Sequence, residues 1–376
     1  MPSVYLGDFP EPDRIEGAPH PRETARVIGH QAAQADFLAS FNAGRLHHGW
    51  LITGPRGLGK ATLAWKLARF LLATPEDDGG MFAPPPPETL DIPADHPVAR
   101  RIAALSEPRL YLLRRGLNET EKAPAQDILV KEVRKLKEYF GLSAADGGRR
   151  VAIVDCADDL NVAAANALLK LLEEPPAGVT FLLIAHQPSR LLPTIRSRCR
   201  ELRLSPLPPD QLAAALDQAG IAVEDAQPLA ELAGGSVGEA VRLTQGAGLA
   251  LYEDLIALMA ALPRMDRGKL LALAESGAGK GHEAQFDLLV TLLDLALARL
   301  ARAGTLGVTP PEAAPQEAQL LARLSPDPWA ARLWADLAQS LSARARRGKA
   351  VNLDPAALLM DMFLQIEQTA GRLAAR

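Results

Sequence analysis

The stretch that most restricts what this chain can become is residues 48–73, HGWLITG followed by PRGLGKATLAWKLARFLLA. A short apolar run ends in glycine, and Leu63, Leu67, Phe70 and Leu71 then recur at helical spacing. Strand, glycine loop and helix in that order are the setting in which Gly54, Gly57, Gly59 and Lys60 can cradle a phosphate. Successive backbone N–H groups and the positive end of the helix face the anion there, and the lysine reaches its outer oxygens. A glycine turn that serves only helix–strand packing meets the same spacing. The loop alone does not separate the two.

The residue after the lysine normally carries the hydroxyl that ligates magnesium. Here it is Ala61, and one helical step turns Thr62 by about 100° from that direction. ATP could then bind weakly through the backbone and Lys60, without a properly held metal.

The rest of the first half repeats the strand and helix rhythm. RLYLLRR (109–115), RRVAIVDCAD (149–158) and VTFLLIAH (179–186) read as strands, with ILVKEVRKLKEYFGL and NVAAANALLKLLEEPP as helices between them. Asn161 is placed to cap the second helix, and Pro175 and Pro176 end it. Nearly continuous apolar strands alternating with helices describe an α/β fold, a parallel sheet covered on both faces. Residues 75–108 interrupt it with four consecutive prolines and are expected to form a mobile insertion without regular structure. Residues 1–24, rich in proline and charge, are expected to drape over the surface. After RELRLSPLPPD (200–210) the strand pattern stops and the remainder reads as helices, with a Gly/Pro break near 304–315.

VAIVDCAD has the form of a strand whose terminal aspartate, Asp155, would face a bound metal. Where such a strand serves nucleotide hydrolysis, an acid usually follows it to orient the attacking water. Here Cys156 follows, a thiol that stays protonated when buried. Asp158 lies past the strand end and is expected to point elsewhere. Gly54, Gly57, Gly59, Lys60, Thr62 and Asp155 are thus the candidate residues of a degenerate ATP site.

Bulk properties narrow the class further. The 376 residues suffice for two or three domains. A formal net charge of −4 excludes a uniformly basic nucleic-acid binder. Two cysteines, Cys156 and Cys199, argue against a disulfide scaffold and fit the cytoplasm. No signal pattern or apolar run of membrane-spanning length is present, so no membrane partner is expected. Basic clusters in VKEVRKLKEY (130–139) and SARARRGKA (342–350) read either as DNA-backbone contacts or as solvated helix faces.

With NALLKLLEEPP (166–176) and LLPTIRSRC (191–199) the chain resembles bacterial clamp-loader proteins of the AAA+ class. VIGHQ (27–31), GRLHHGWLITGPRGLGKATLAWKLARFLL (44–72), TFLLIAHQPSRLLPTIRSRC (180–199) and KAVNLDPAALLMDM (349–362) extend the resemblance over most of the length. It implies an AAA+ P-loop domain over 1–205 with the insertion at 75–108, a small helical lid over 206–247, and an all-helical collar for oligomerisation over 248–376.

The resemblance also assigns Arg198 of Ser197-Arg198-Cys199 as an arginine finger, supplied in trans to ATP on an adjacent subunit. A surface arginine paired with a local carboxylate is the alternative, and Arg196 is the nearby competitor. Gly238 stands where active relatives carry a lid arginine, and Ala185-His186 replaces a small polar sensor. His186 is either a phosphate contact or an ordinary strand-end residue. Relatives often carry a four-cysteine zinc module where this chain has the cysteine-free insertion, so no zinc is expected. With Ala61 and Cys156, these changes imply a subunit relieved of hydrolysis. Its partners would be other loader subunits in a hetero-pentamer and, through them, a sliding clamp and primed DNA. An active AAA+ ATPase is the competing reading. A small P-loop kinase is the third, disfavoured by the long helical C-terminal block.

Overall fold

A computed structural model describes residues 11, 14–24, 26–75, 85–117, 125–142, 148–279 and 281–375. The chain forms two compact units, Met1–Leu207 with Asp217–Ile221 and Ser236–Gly238, and Pro208–Leu216 with Ala222–Gly235 and Glu239–Arg376.

In chain order the first unit contains α1 (Gln31–Asn42), β1 (Gly49–Thr53), α2 (Lys60–Ala73), α3 (Pro97–Ala103), β2 (Leu110–Arg114) and α4 (Val130–Leu142). It continues with β3 (Arg150–Asp155), α5 (Val162–Glu173), β4 (Val179–Ala185), α6 (Pro193–Arg196) and β5 (Arg200–Arg203). The strands are all parallel, in the order β2-β3-β4-β1-β5. Every residue of β1, β3 and β4 is buried, which is why they read as continuous apolar runs.

Alternation along the strands divides the core between the two faces of the sheet. Trp50, Ile52, Ile153 and Leu182 pack with Phe37 of α1 and Leu63, Leu67 and Phe70 of α2. Leu51, Val154, Phe181 and Leu183 pack with Leu136 and Phe140 of α4 and Leu168 and Leu172 of α5. Asn161 caps α5, its side chain accepting from the Ala164 N–H at 2.9 Å, a contact worth about 1 kcal/mol.

The segment expected to lack structure is helical in part. Pro97 sits at the first position of α3, where its missing N–H would be unpaired anyway, and His96 accepts from the Val98 N–H. Leu90, Val98 and Ile102 are buried in the cluster that contains α2. Treating each proline as a breaker hid a helix that a proline starts; residues 76–84 of the same segment lie outside the described residues. The N-terminal stretch likewise packs where it was expected to drape. His20 is buried beside Trp65 and 3.2 Å from Glu11, and Arg22 Nε donates to the Ala103 carbonyl. Residues 1–10 lie outside the described residues.

The remaining helices are α7 (Pro209–Gln218), α8 (Ala226–Ala233), α9 (Val237–Gln245), α10 (Gly248–Ala260), α11 (Arg267–Ser276) and α12 (Glu283–Leu306). They are followed by α13 (Glu317–Leu324), α14 (Pro328–Ala350) and α15 (Pro355–Ala374). Asp327 and Asp354 cap α14 and α15, each with a proline at the next position. The second unit also buries an ionic cluster. Arg299 donates to Glu317 at 2.6 Å and to the Pro311 carbonyl at 2.5 Å. Glu317 further accepts from the Tyr252 hydroxyl and the Ala313 N–H, both at 2.7 Å. Among the described residues no helix is long and apolar enough to cross a membrane.

Candidate functional site

The glycine loop leaves β1 and enters α2, as the sequence pattern requires. Gly54, Gly57 and Gly59 all have positive φ, and Gly59 immediately precedes the helix. At Gly57 the need for glycine is also steric. A Cβ there would lie 2.2 Å from Ser236 Oγ and 3.0 Å from Gly238 Cα. Two of the loop's carbonyls accept hydrogen bonds from that segment. The Ser236 hydroxyl donates to the Arg56 carbonyl at 3.0 Å, and the Gly238 N–H donates to the Gly57 carbonyl at 3.0 Å. A Cβ on Gly238 would in turn meet Ile15 at 2.6 Å and Gly57 Cα at 2.9 Å. No arginine side chain fits at 238 in this arrangement.

Lys60 is only 3% exposed. Its ammonium donates to the Gly54 carbonyl at 2.7 Å and the Pro55 carbonyl at 2.5 Å, both from the loop itself. Burial is the largest influence on it and lowers its pKa to about 8, against the raising effect of Cys156, Asp158 and Asp155. Ala61 packs against the apolar cluster of α2, and Thr62 is half-buried.

At the opposite wall Asp155 is buried at the end of β3. The Cys156 thiol is buried, donates to Asp158 Oδ1 at 2.8 Å, and is pushed well up by burial and then by that carboxylate. Asp158 does not point elsewhere. A single tight turn over residues 157–159 folds it back, and its carboxylate accepts the His186 N–H at 3.1 Å and the Gln187 N–H at 3.0 Å. Burial alone would raise its pKa, and the bonds from Cys156, His186 and Gln187 pull it below the usual carboxylate value. It therefore ties the end of β3 to the end of β4. His186 is pushed down to about 4 by burial and then by Lys60, and its buried Nδ1 has no hydrogen-bond partner. An imidazole so placed is neutral at pH 7.

The family's nucleotide can be tested against these groups. The loop geometry, Lys60 and Asp155 suit a phosphate and its metal. Ala61 supplies no ligating hydroxyl, Cys156 no base and Gly238 no cation, and Ser236 and Gly238 stand against Gly57. The set does not fit a magnesium–ATP complex poised for hydrolysis. Among the described residues no group of three or more His, Cys, Asp or Glu is placed to hold a metal.

Arg198 lies outside this cluster, just before β5. It is paired with a local carboxylate, one NH2 standing 2.8 Å from Glu173 Oε1, while NH1 donates to the Thr194 carbonyl at 3.1 Å. The guanidinium is nevertheless 37% exposed, so three of its five N–H groups stay available. The Arg196 side chain is exposed and makes no hydrogen bond or ion pair among the described residues. Sequence reasoning missed Glu173, Ser236 and the role of Asp158. The pair of acids ending the helix before Pro175 was the available signal for Glu173.

A parallel sheet in this strand order, with a glycine loop leaving β1 and an aspartate ending β3, defines a P-loop protein of the AAA+ class. A family model described as "DNA polymerase III, delta subunit" matches residues 29–208. Subunit delta' of DNA polymerase III from Escherichia coli K12 is 33% identical over 338 residues, covering 88% of this chain and 92% of that one. The Pseudomonas aeruginosa subunit delta' is 39% identical over 201 residues, 52% of this chain and 55% of that one. The gamma/tau subunit of Mycobacterium tuberculosis is 29% identical over 314 residues, 73% and 49% of the two chains. The chain belongs to the delta' family of DNA polymerase III subunits.

Proposed function

We propose that the chain is a non-hydrolysing subunit of a clamp loader, one that lends Arg198 to ATP bound on its neighbour. It would work in the cytoplasm beside gamma/tau and delta subunits in a hetero-pentamer that places a sliding clamp on primed DNA. Any nucleotidyl transfer belongs to the polymerase holoenzyme, since no polymerase carboxylate cluster is visible in the sequence. On this reading residues 206–247 act as the lid and 248–376 as the collar that joins subunits.

The observation that carries the proposal is the state of the phosphate loop. Its lysine is spent on the loop's own carbonyls, and its middle glycine is covered by Ser236–Gly238. Such a loop serves as architecture, and Gly54, Gly57, Gly59, Lys60, Thr62 and Asp155 are the remnant of an ATP site. A half-exposed guanidinium fixed at two points suits the electrostatic role of a finger, in which a planar fork meets phosphoryl oxygens.

The test has two arms. The purified chain should show no ATP turnover above background; robust turnover abolished by Lys60→Ala would establish the competing reading, an active ATPase. In a reconstituted loader, Arg198→Ala should lower ATP turnover by a factor of about 10³ at the affected site, the scale of a lost finger, while the complex still assembles. Unchanged turnover would remove Arg198 from the role.

A further inference from the structure

We infer that Glu173 is a positioning residue for Arg198, holding the guanidinium in place before a neighbour's phosphate arrives; this rests on the reading of Arg198 as a finger. Glu173 is the last residue of α5, and Glu174 follows as its C-cap. A negative charge is disfavoured there, because the unpaired carbonyls already make that end of a helix negative. Helix stability therefore gives no reason for an acid at 173. Its contact does: Oε1 lies 2.8 Å from Arg198 NH2.

The surroundings make this contact reproducible. His48 Nε2 lies 2.9 Å from the Leu172 carbonyl and donates to it, tying the end of α5 to the residue before β1. A Cβ on Gly49 would stand 3.1 Å from the Arg198 carbonyl and 3.3 Å from Leu172 Cδ2, so three chain segments meet at close range. Trp50 then pairs with Arg200 in the sheet. Glu173 projects from this rigid corner, and the Thr194 carbonyl fixes the other branch of the fork.

An arginine on the surface otherwise spends its time among many rotamers, and engaging a phosphate must first collect them into one. With NH1 and NH2 each committed to one acceptor, Arg198 keeps its Nε–H and one N–H on each branch for an incoming oxygen. Glu173 can stay bound while the finger works. The contact orients the finger and does not withhold it.

Five variants in the reconstituted loader, with clamp and primed DNA present, test this. Glu173→Ala should lower kcat for ATP about tenfold with KM for ATP unchanged, as a lost orientation does. Glu173→Gln keeps an acceptor oxygen and should recover most of the rate. Glu174→Ala should match the wild type. Glu173→Ala should add nothing to Arg198→Ala, and should not lower the thermal midpoint of the chain, because it removes an acid from a helix C-terminus.

Wild-type or faster turnover in Glu173→Ala overturns the inference, as does a penalty that adds in full to that of Arg198→Ala. If Arg198→Ala is impaired and Glu173→Ala is not, only the positioning role falls. If Arg198→Ala turns over normally, the finger and the positioning role fall together.

Discussion

Each unit of this chain buries a set of ionisable groups, and they are satisfied in different ways. In the helical unit, Arg299 and Glu317 are a formal ion pair, closed by the Tyr252 hydroxyl, the Ala313 N–H and the Pro311 carbonyl. Burial alone would lower the Arg299 pKa, and Glu317 overcomes it, so the guanidinium is held more firmly charged than usual. At the strand ends of the other unit the groups around the glycine loop are held mainly by neutral partners. Lys60 binds neutral carbonyls, His186 is neutral, and Asp158 is held by backbone N–H groups and a thiol. One cluster is closed as charges, whereas in the other Lys60 and Asp158 are hydrogen-bonded to neutral groups and the buried His186 Nδ1 has no hydrogen-bond partner. The first ties α12 to α13; the second surrounds a glycine loop whose middle residue is covered by Ser236 and Gly238.

The comparison breaks most easily at Glu317. Removing one member of a buried pair strands the other in a medium that cannot solvate it. Glu317→Ala leaves the Tyr252 hydroxyl without its partner and Arg299 with only the Glu231 carboxylate at 3.3 Å and the Pro311 carbonyl, and it should cost about 3 kcal/mol of unfolding free energy. Denaturant unfolding of the full chain reads this directly. The triple change Arg299→Met, Glu317→Leu and Tyr252→Phe should recover most of the loss, since a well-packed apolar set replaces a buried pair at little expense. A loss under about 1 kcal/mol for Glu317→Ala would show that the cluster is wet, and the contrast between the two units would go with it.

Much of the strand-end site was legible in the sequence, and little of the helical cluster was. β1, β3 and β4 announce themselves because burial on both faces forces runs of Val, Ile, Leu and Ala. Ala61 could be flagged because the magnesium-ligating hydroxyl belongs directly after the lysine, Cys156 because an acid belongs after the strand's aspartate, and Gly238 only through the resemblance, which puts an arginine there. Asp158 was misplaced because counting from the strand end cannot reveal the tight turn that brings it back to His186 and Gln187. Helix α3 was missed because prolines were weighed as breakers without asking which of them begins an element. Arg299 and Glu317 are eighteen positions apart, on separate helices. Periodicity treats such residues as a solvated face, and only the packing of α12 with α13 shows otherwise.

Lys60 offers the next test of the contrast. In a phosphate loop that works, replacing the lysine abolishes turnover. Here Lys60→Met should leave ATP turnover of the assembled loader within about twofold of wild type, because a loop bonded to itself contributes no transition-state charge. Its stability effect should depend on pH with a definite sign. The native pKa of about 8 lies below the ordinary 10.5. Below pH 8 both states carry the proton and burial counts in full against the folded chain. Between pH 8 and 10.5 the native lysine has released a proton that the unfolded chain keeps, so wild type gains on Lys60→Met by roughly 1 kcal/mol per pH unit. A constant difference across that window would mean that the ammonium is solvated and the loop open.

The smallest effect belongs to His186, and it probes the same closed loop from the opposite wall. Its pKa of about 4 lies below the ordinary 6.5, through burial first and the nearby Lys60 charge second. The stability this neutrality gives is complete above pH 6.5 and is lost as the pH falls toward 4, because only the unfolded chain takes up the proton there. His186→Asn removes that proton from both states. It should flatten the acid limb of the stability curve between pH 6.5 and 4 by at most roughly 1 kcal/mol per unit, with little change at pH 8. In the Lys60→Met background the slope due to His186 should shrink, since the cation that helps suppress its protonation is gone. An acid limb identical in wild type and His186→Asn would mean that the imidazole titrates normally. It would then be free to carry charge toward an anion, and the strand-end cluster would be an open site after all.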